Sequence, residues 1–242
     1  MKAKVYPLKD MKKEVYVPAS PFCLHIEIIC ASLAKGTSVI KNIVNSKDID
    51  TTIEWCKNIG ANIKKGSDRI IIKGVNNKLF FEHSLFNCND SSTTAKLMIP
   101  VLCINSKPFG IKASDKIIEE LKSYSYIYEA YGVSYFVEEG LIRFEKTMKA
   151  TEFEVDGDID NYLSAGILLA LPLLKEPSIF KLRAPIRSEK NYNTLTKILK
   201  FFGVDIKHPS TMRYEIPGFQ KYKKTKITII KILFIFLFIL NS

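Results

Sequence analysis

Residues Val17–Asn42, VPASPFCLHIEIICASLAKGTSVIKN, predict an extended segment, a tight turn, a helix and a strand in succession. The extended segment closes at Ser20, and apolar residues then recur at helical spacing over Leu24–Ala34. A glycine that ends this helix is predicted at Gly36, and the next strand is predicted to begin at Val39. The first N–H groups of a helix have no backbone partner, so this turn could hold an anion.

Composition places the chain among globular proteins. Its 242 residues are 47% apolar and 25% charged, which is enough for a buried core. The net charge of +11 either attracts anionic partners or reflects a lysine-rich composition spread over solvated faces, and we favour the second interpretation. The sequence has no basic run interleaved with aromatic residues and no zinc-finger pattern, so we predict no nucleic-acid partner.

The cysteines and histidines argue against disulfide and metal chemistry. The five cysteines are odd in number and include no C-x-x-C pair, so we predict reduced, buried thiols and a cytoplasmic location. The three histidines are scattered, so neither a metal nor another cofactor is predicted. The first residues, MKAKVYPLKD, lack the apolar region of a signal peptide.

A pattern of about seventy residues occurs three times. A helical segment ends at a glycine and a strand follows; 72 residues separate Gly60 from Gly132, and 71 separate Gly132 from Gly203. A second short strand follows across a turn in each copy, at Arg69–Lys73, Leu141–Glu145 and Arg213–Ile216. A strongly apolar helix precedes each copy, at Leu24–Ala34, Thr93–Leu102 and Tyr162–Leu174.

A fixed period with a fixed order of elements indicates repeated supersecondary units that share one core. We therefore predict a mixed α/β (α+β) fold, with one globular domain of three repeats. The apolar helices should lie inside, and the helices that end at the repeated glycines should lie outside.

A second candidate site lies in Cys88–Pro100, CNDSSTTAKLMIP. Ser91 and Thr93 are good helix-capping residues, and the free N–H groups of the turn could bind a carboxylate or a phosphate. The alternative is that these residues only cap the helix. The sequence does not separate the two.

These segments resemble motifs of 5-enolpyruvylshikimate-3-phosphate (EPSP) synthase. The first stretch resembles P-x-S-K-S-x-x-x-R-A, and Cys88–Pro100 resembles C-x-[NE]-S-G-[ST]-T-x-R. Val155–Leu174 resembles V-x-G-x-x-S-S-Q-F before an apolar helix. The P-x-S opening and the spacing from Gly157 to Asn161 favour this family over the related enolpyruvyl transferase that acts on UDP-N-acetylglucosamine.

The resemblance implies a fold and a domain division. Each of the two domains of the family consists of three β-α-β-α-β-β units. Residues 1–20 would then be an N-terminal strand that belongs to a second, missing domain, and residues 21–222 would form one domain with the enolpyruvyl transferase fold. Residues 223–242 would be a tail. The implied reaction transfers the enolpyruvyl group of phosphoenolpyruvate to shikimate 3-phosphate without a cofactor.

The resemblance also implies substrate-binding positions, which are Ser20, Asp90, Ser91, Thr93, Lys96 and Ser188. Several charged positions differ from the family. Pro21, Phe22 and Ile26 replace its Lys, Ser and Arg; Glu119 and Glu120 lie where it has an Arg-Pro pair; and Ser92 replaces a glycine. Asp160, Asn161 and Tyr162 replace the Ser-Ser-Gln that binds phosphate. We assign no catalytic residue, and we interpret Glu119 and Glu120 as a solvated helix face.

The tail, quoted with the two residues before it as KYKKTKITIIKILFIFLFILNS (221–242), departs from a globular pattern. Ile232–Leu240 is nine apolar residues, about half the length of a membrane-spanning helix. We interpret the tail as an out-of-frame end of the gene. The alternatives are an interfacial membrane tether and an edge strand over Ile227–Ile230.

We therefore expect a truncated family member that is inactive or severely impaired in enolpyruvyl transfer. Phosphoenolpyruvate and shikimate 3-phosphate are its implied partners. Two alternatives remain. The chain is either a half-enzyme complemented by a separate second domain, or a repurposed protein that binds an acidic or membrane partner.

Overall fold

The computed structural model describes residues 20–81, 83–145, 147–186 and 189–228, with backbone only for 226–228. Its helices are α1 (Pro21–Leu33), α2 (Lys47–Asn58), α3 (Ser92–Leu102), α4 (Asp115–Lys122), α5 (Ser125–Ala130), α6 (Asn161–Ala170) and α7 (Glu189–Phe201). Its strands are β1 (Lys35–Lys41), β2 (Asn62–Lys65), β3 (Arg69–Val75), β4 (Leu85–Asn87), β5 (Phe109–Lys112), β6 (Tyr135–Glu138), β7 (Leu141–Phe144), β8 (Glu152–Asp156), β9 (Ser178–Arg183), β10 (Lys207–Ser210), β11 (Arg213–Ile216) and β12 (Lys226–Thr228).

The strands form sheets of identical topology. The first sheet has the order β12-β1-β3-β2, the second β4-β5-β7-β6 and the third β8-β9-β11-β10. In each sheet the first pair is parallel and the other pairs are antiparallel. Among the described residues, the predicted threefold repeat is therefore confirmed. Strand β12 completes the first sheet in the position that β4 and β8 occupy in the other two.

The inner helices form the core. Most side chains of α1, α3 and α6 are buried, whereas α2, α4 and α7 each have an exposed face. The prediction of apolar helices inside is confirmed. The backbones of α3 and α6 approach closely at Gly166, because a Cβ there would lie 2.5 Å from the carbonyl oxygen of Lys96. This approach sets the spacing of the site described below.

The predicted glycines end their helices. Gly60, Gly132 and Gly203 have φ values of +100°, +74° and +77°, the left-handed region in which glycine is favoured. The prediction for Gly36 is wrong. Helix α1 ends at Leu33 because Ala34 is already extended, and Gly36 (φ +97°) is the second residue of β1, which begins at Lys35 rather than at Val39.

Two other boundaries differ from the sequence prediction. The third apolar helix ends at Ala170 and continues as a 3₁₀ turn over Leu171–Leu173, because Pro172 has no N–H to continue the helix. The strand expected directly after Gly203 begins at Lys207.

Other expectations concern the thiols, the tail and the N-terminus. All five cysteines are free and buried, as predicted. Ile227 lies on strand β12, in agreement with the alternative of an edge strand over Ile227–Ile230. Ile229, Ile230 and the apolar run beyond them lie outside the described residues. The predicted N-terminal strand likewise lies outside them, and the domain boundaries remain predictions. In the described part of the chain, no helix is long and apolar enough to cross a membrane.

Candidate functional site

The first turns of α1, α3 and α6 meet at one end of the domain, which we call the helix-start pole. The ring centroids of Phe22 on α1 and Tyr162 on α6 are 5.5 Å apart. The ammonium of Lys96 on α3 lies 2.9 Å from Oδ2 of Asp160, the N-cap of α6. These contacts join the three inner helices near their N-termini, where the first N–H groups have no backbone partner.

The caps of the three helices differ. The Ser91 hydroxyl accepts a hydrogen bond from the N–H of Thr94 at 3.3 Å. Asp160 Oδ1 accepts from the N–H groups of Tyr162 and Leu163, at 2.8 and 3.2 Å. Ser20, the N-cap of α1, makes no side-chain cap hydrogen bond. The anionic cap at α6 therefore occupies the N–H groups that could otherwise bind a ligand anion.

Lys96 is held between two carboxylates. Its ammonium bonds to Glu120 on α4 as well as to Asp160, and it lies 5.9 Å from the centre of the Tyr124 ring. Of the lysines and arginines in the described ranges, Lys96 alone is buried, with a side chain 7% exposed. Burial lowers the Lys96 pKa, but the hydrogen bonds that its ammonium donates to Glu120 and Asp160 outweigh this effect, so the net pKa is raised. The lysine therefore stays charged and paired.

A buried hydrogen-bond chain lies behind the pole. Thr94 Oγ1 accepts from Ser91 Oγ at 2.9 Å and donates to the carbonyl of Asp48 at 3.2 Å. Thr52 lies 2.7 Å from Thr94 and 2.8 Å from Nδ1 of His25. Because Thr94 uses its proton on Asp48, Thr52 donates to Thr94, and His25 donates its Nδ1 proton to Thr52. The chain thus fixes the tautomer of the ring.

His25 is a neutral imidazole at physiological pH. Burial lowers its pKa to about 4, and the negative charge of Asp48 opposes this only in part. Its ring lies edge-on to Tyr162, with centroids 6.3 Å apart. The arrangement packs α1 against α6 and supplies no cation for an anionic ligand.

The electrostatic surroundings of the pole are negative. Burial, with smaller contributions from the charges of Asp90, Asp48 and Glu120, raises the pKa of the Cys88 thiol to about 12. Burial also raises the pKa of Tyr162, with the nearest carboxylate, Asp160, adding to the effect. The charges of these carboxylates disfavour a second anion at the same place.

The structure brings most of the predicted site residues to this pole. Ser20 and Thr93 are half-buried in the first turns of α1 and α3, and Asp90 is exposed in the preceding turn. Ser91 is buried and its hydroxyl is used within the turn, so capping explains it. Ser188 lies outside the described residues. In the described part of the chain, no group of three metal-ligating side chains is present.

One interpretation from the sequence is wrong in part. Glu119 is solvated and pairs with Lys122 at 2.7 Å, as expected of an exposed helix face. Glu120, one residue on, turns inward to Lys96. Its partner is distant in sequence, so no local pattern indicates this contact. The packing of Phe22 on Tyr162 was missed for the same reason.

Glu27 on α1 is a further buried carboxyl, 3% exposed. Its Oε2 has no hydrogen-bond partner among the described residues. Burial raises its pKa to about 8, so the carboxyl is largely protonated at neutral pH. It lies at the end of the second turn of α1 and takes no part in the contacts of the pole.

Comparison with known proteins identifies relatives along nearly the whole chain. The family model for EPSP synthase (3-phosphoshikimate 1-carboxyvinyltransferase) matches residues 5–231. The chain is 35% identical over 226 residues to a 3-phosphoshikimate 1-carboxyvinyltransferase of Clostridium perfringens (strain ATCC 13124), a match that covers 92% of this chain and 53% of the relative. A protein of the same name from Clostridium kluyveri is 29% identical, with 90% and 52% covered.

Solved structures agree on the fold. An EPSP synthase from Acinetobacter baumannii superposes with a TM-score of 0.74 at 17% identity, covering 89% of this chain and 49% of that one. The enolpyruvyl transferase NikO from Streptomyces tendae gives 0.66 at 12% identity, with 88% and 51% covered. The predicted fold is confirmed. The chain spans about half the length of the curated relatives it matches. Because the family model matches almost all of its residues, the chain belongs to the EPSP synthase family.

Proposed function

We propose that this chain is an EPSP synthase family domain that has lost its anion clamp. On its own it would not transfer the enolpyruvyl group of phosphoenolpyruvate to shikimate 3-phosphate, or would do so very slowly. The observation that carries the proposal is the pairing of Lys96, the buried cation of the pole, with Glu120 and Asp160. Asp160 lies where the family motif has a serine, and Glu120 directly follows Glu119, which lies where the family has an arginine.

Both substrates of the family reaction are anionic, so binding them requires cations that are not already neutralised. Lys96 could reach a phosphate only by leaving two carboxylates, which would then face that phosphate. Like charges that meet at a desolvated contact cost several kcal/mol, on the order of a thousandfold in affinity. Pro21, Phe22 and Ile26 add no charge at the start of α1. The site therefore disfavours each substrate.

A second candidate function is that of a half-enzyme completed by a separate domain. The observation that favours it is that the strands and helices of this domain form a complete fold. The three sheets and the inner helices are all present, although the chain spans about half the length of its relatives. A separate domain could supply cations and acid–base groups that this chain lacks. The free, buried thiols support a cytoplasmic location for either candidate.

The test is an assay of phosphate release from phosphoenolpyruvate and shikimate 3-phosphate. It is made with the chain alone and with the chain mixed with the carboxyl-terminal half of the Clostridium perfringens relative. No turnover in either reaction is the expected result. Turnover in the mixture alone would replace the first candidate by the half-enzyme, and turnover by the chain alone would overturn both.

A further inference from the structure

The outward face of the first sheet carries an unusual set of charges. The side chains of Ile40, Ile63, Ile70 and Ile72 point to the core, so the residues that alternate with them point outward. The outward cations are Lys35 and Lys41 on β1, Lys64 on β2, and Arg69 and Lys73 on β3. No aspartate or glutamate lies on the described strands of this face. We call these five residues the basic face.

Strand register brings the five cations together. Lys41 lies opposite Arg69, and Lys64 lies opposite Ile71, the neighbour of Val39 across the sheet. Lys73 lies one row further along β3. Of the five, only Arg69 forms an ion pair within the described residues, with Asp68 in the adjoining turn at 3.0 Å. The lysine ammonium groups therefore face solvent around an apolar centre, where Ile71 is 38% exposed.

The equivalent faces of the other sheets are different. The third sheet balances four cations with four carboxylates, and three ion pairs join Lys181 to Glu152, Arg183 to Asp156 and Arg213 to Glu215. The fourth cation is Lys207 and the fourth carboxylate is Glu154. The second sheet has Lys112 and Arg143, and Arg143 pairs with Glu138. A lysine-rich composition alone would affect the three faces alike, so the basic face is a local feature.

The strand at the edge of this sheet is followed in the sequence by an apolar segment. Strand β12 pairs with β1, and the sequence continues from Thr228 to the apolar run Ile232–Leu240. Stable attachment to a membrane generally requires two signals, such as a lipophilic segment together with a polybasic surface. The basic face supplies the polybasic surface, and the sequence that follows β12 supplies the lipophilic segment.

We propose that the basic face binds the surface of a membrane that contains anionic lipids. The cations of the basic face are chiefly lysines and its centre is aliphatic, which suits headgroup phosphates and the adjoining acyl boundary. Nucleic-acid surfaces instead favour arginine forks and aromatic side chains that stack on bases. The five outward cations include one arginine, and the strand positions among them include no aromatic residue. This inference is independent of the loss of the anion clamp.

The test is flotation of the full chain with vesicles in a density gradient, which separates bound protein from aggregates. The vesicles are phosphatidylcholine alone or with about 30% phosphatidylserine. The face variant is Lys41→Gln/Lys64→Gln/Lys73→Gln. The matched control, Lys116→Gln/Lys197→Gln/Lys200→Gln, removes the same charge from exposed positions on α4 and α7. All three proteins share the tail, so differences between them report on the face.

The wild type and the control should float with the anionic vesicles at low salt and remain behind at about 1 M salt, where the screening length is about 3 Å. The face variant should partition roughly 100-fold less, because each lysine near an anionic surface contributes about fivefold. Equal loss in the control and the face variant would overturn the proposal, as would no flotation of the wild type. Binding to a labelled DNA duplex that depends on the same three lysines, without flotation, would replace it by a nucleic-acid site.

Discussion

The ammonium of Lys96 lies 2.9 Å from the Asp160 carboxylate, across the gap between the two inner helices α3 and α6. Gly166 allows this gap to be narrow, since the α6 backbone there touches the carbonyl of Lys96. Glu120 closes the cluster from α4. In this setting the lysine links α3, α4 and α6.

Removing the two carboxylates should restore anion binding. Glu120→Gln/Asp160→Ser leaves Lys96 charged and unpaired, and serine still caps α6. We expect the affinity for shikimate 3-phosphate, measured by calorimetry, to rise at least about tenfold over the wild type. The control Glu119→Gln/Glu129→Gln neutralises two exposed carboxylates on α4 and α5 and should leave the affinity unchanged. If the control variant gained the same affinity, the change in net charge, and not the release of Lys96, would explain the tighter binding.

Glu27 should make the protein less stable as the pH rises. Its folded pKa of about 8 lies above its usual value of 4.5, so the folded state binds the proton more tightly. The stability that this provides is complete below about pH 4.5 and is lost as the pH rises to 8. Glu27→Gln should remove this dependence and stabilise the fold by roughly 3 kcal/mol at pH 7. Urea unfolding at several pH values measures the difference, and a difference that is constant with pH would contradict the assignment.

His25 should make the protein less stable as the pH falls. Its folded pKa of about 4 lies below its usual value of 6.5, so the neutral ring stabilises the fold above pH 6.5 and this stability is lost as the pH falls toward 4. His25→Asn keeps an N–H donor near Thr52 and does not titrate. Its unfolding free energy should therefore fall less than that of the wild type between pH 6.5 and 4. Parallel curves for the two proteins would show that the ring is protonated in the folded state.

Gly166→Ala should strongly destabilise the fold. The added Cβ would lie 2.5 Å from the Lys96 carbonyl oxygen and 2.7 Å from that of Leu97, and both are helix backbone atoms that cannot move alone. We expect a loss of roughly 3 kcal/mol or more in thermal or urea unfolding. Gly66→Ala is the matched control, because its nearest contact would be 3.5 Å. A Gly166 variant as stable as this control would mean that α3 and α6 are further apart.

Sequence patterns predicted the repeated architecture because its determinants are local. A glycine at positive φ, an apolar helix period and alternating strands each lie within about ten residues, and Gly60, Gly132 and Gly203 repeat them. The cluster of Lys96, Glu120 and Asp160 could not be predicted in this way, because packing joins residues from three separate helices. The role of β12 was also hidden, since its partner β1 is nearly two hundred residues earlier.

If Lys96 stays with its two carboxylates, the pole should not bind the anionic substrates of the family, and equilibrium dialysis of the wild-type chain with labelled shikimate 3-phosphate measures this binding. We predict no saturable binding up to about 1 mM ligand, a limit that corresponds to roughly −4 kcal/mol. Saturable binding at micromolar ligand that Lys96→Met abolishes would contradict the account, because it would show that Lys96 leaves its carboxylates for a phosphate.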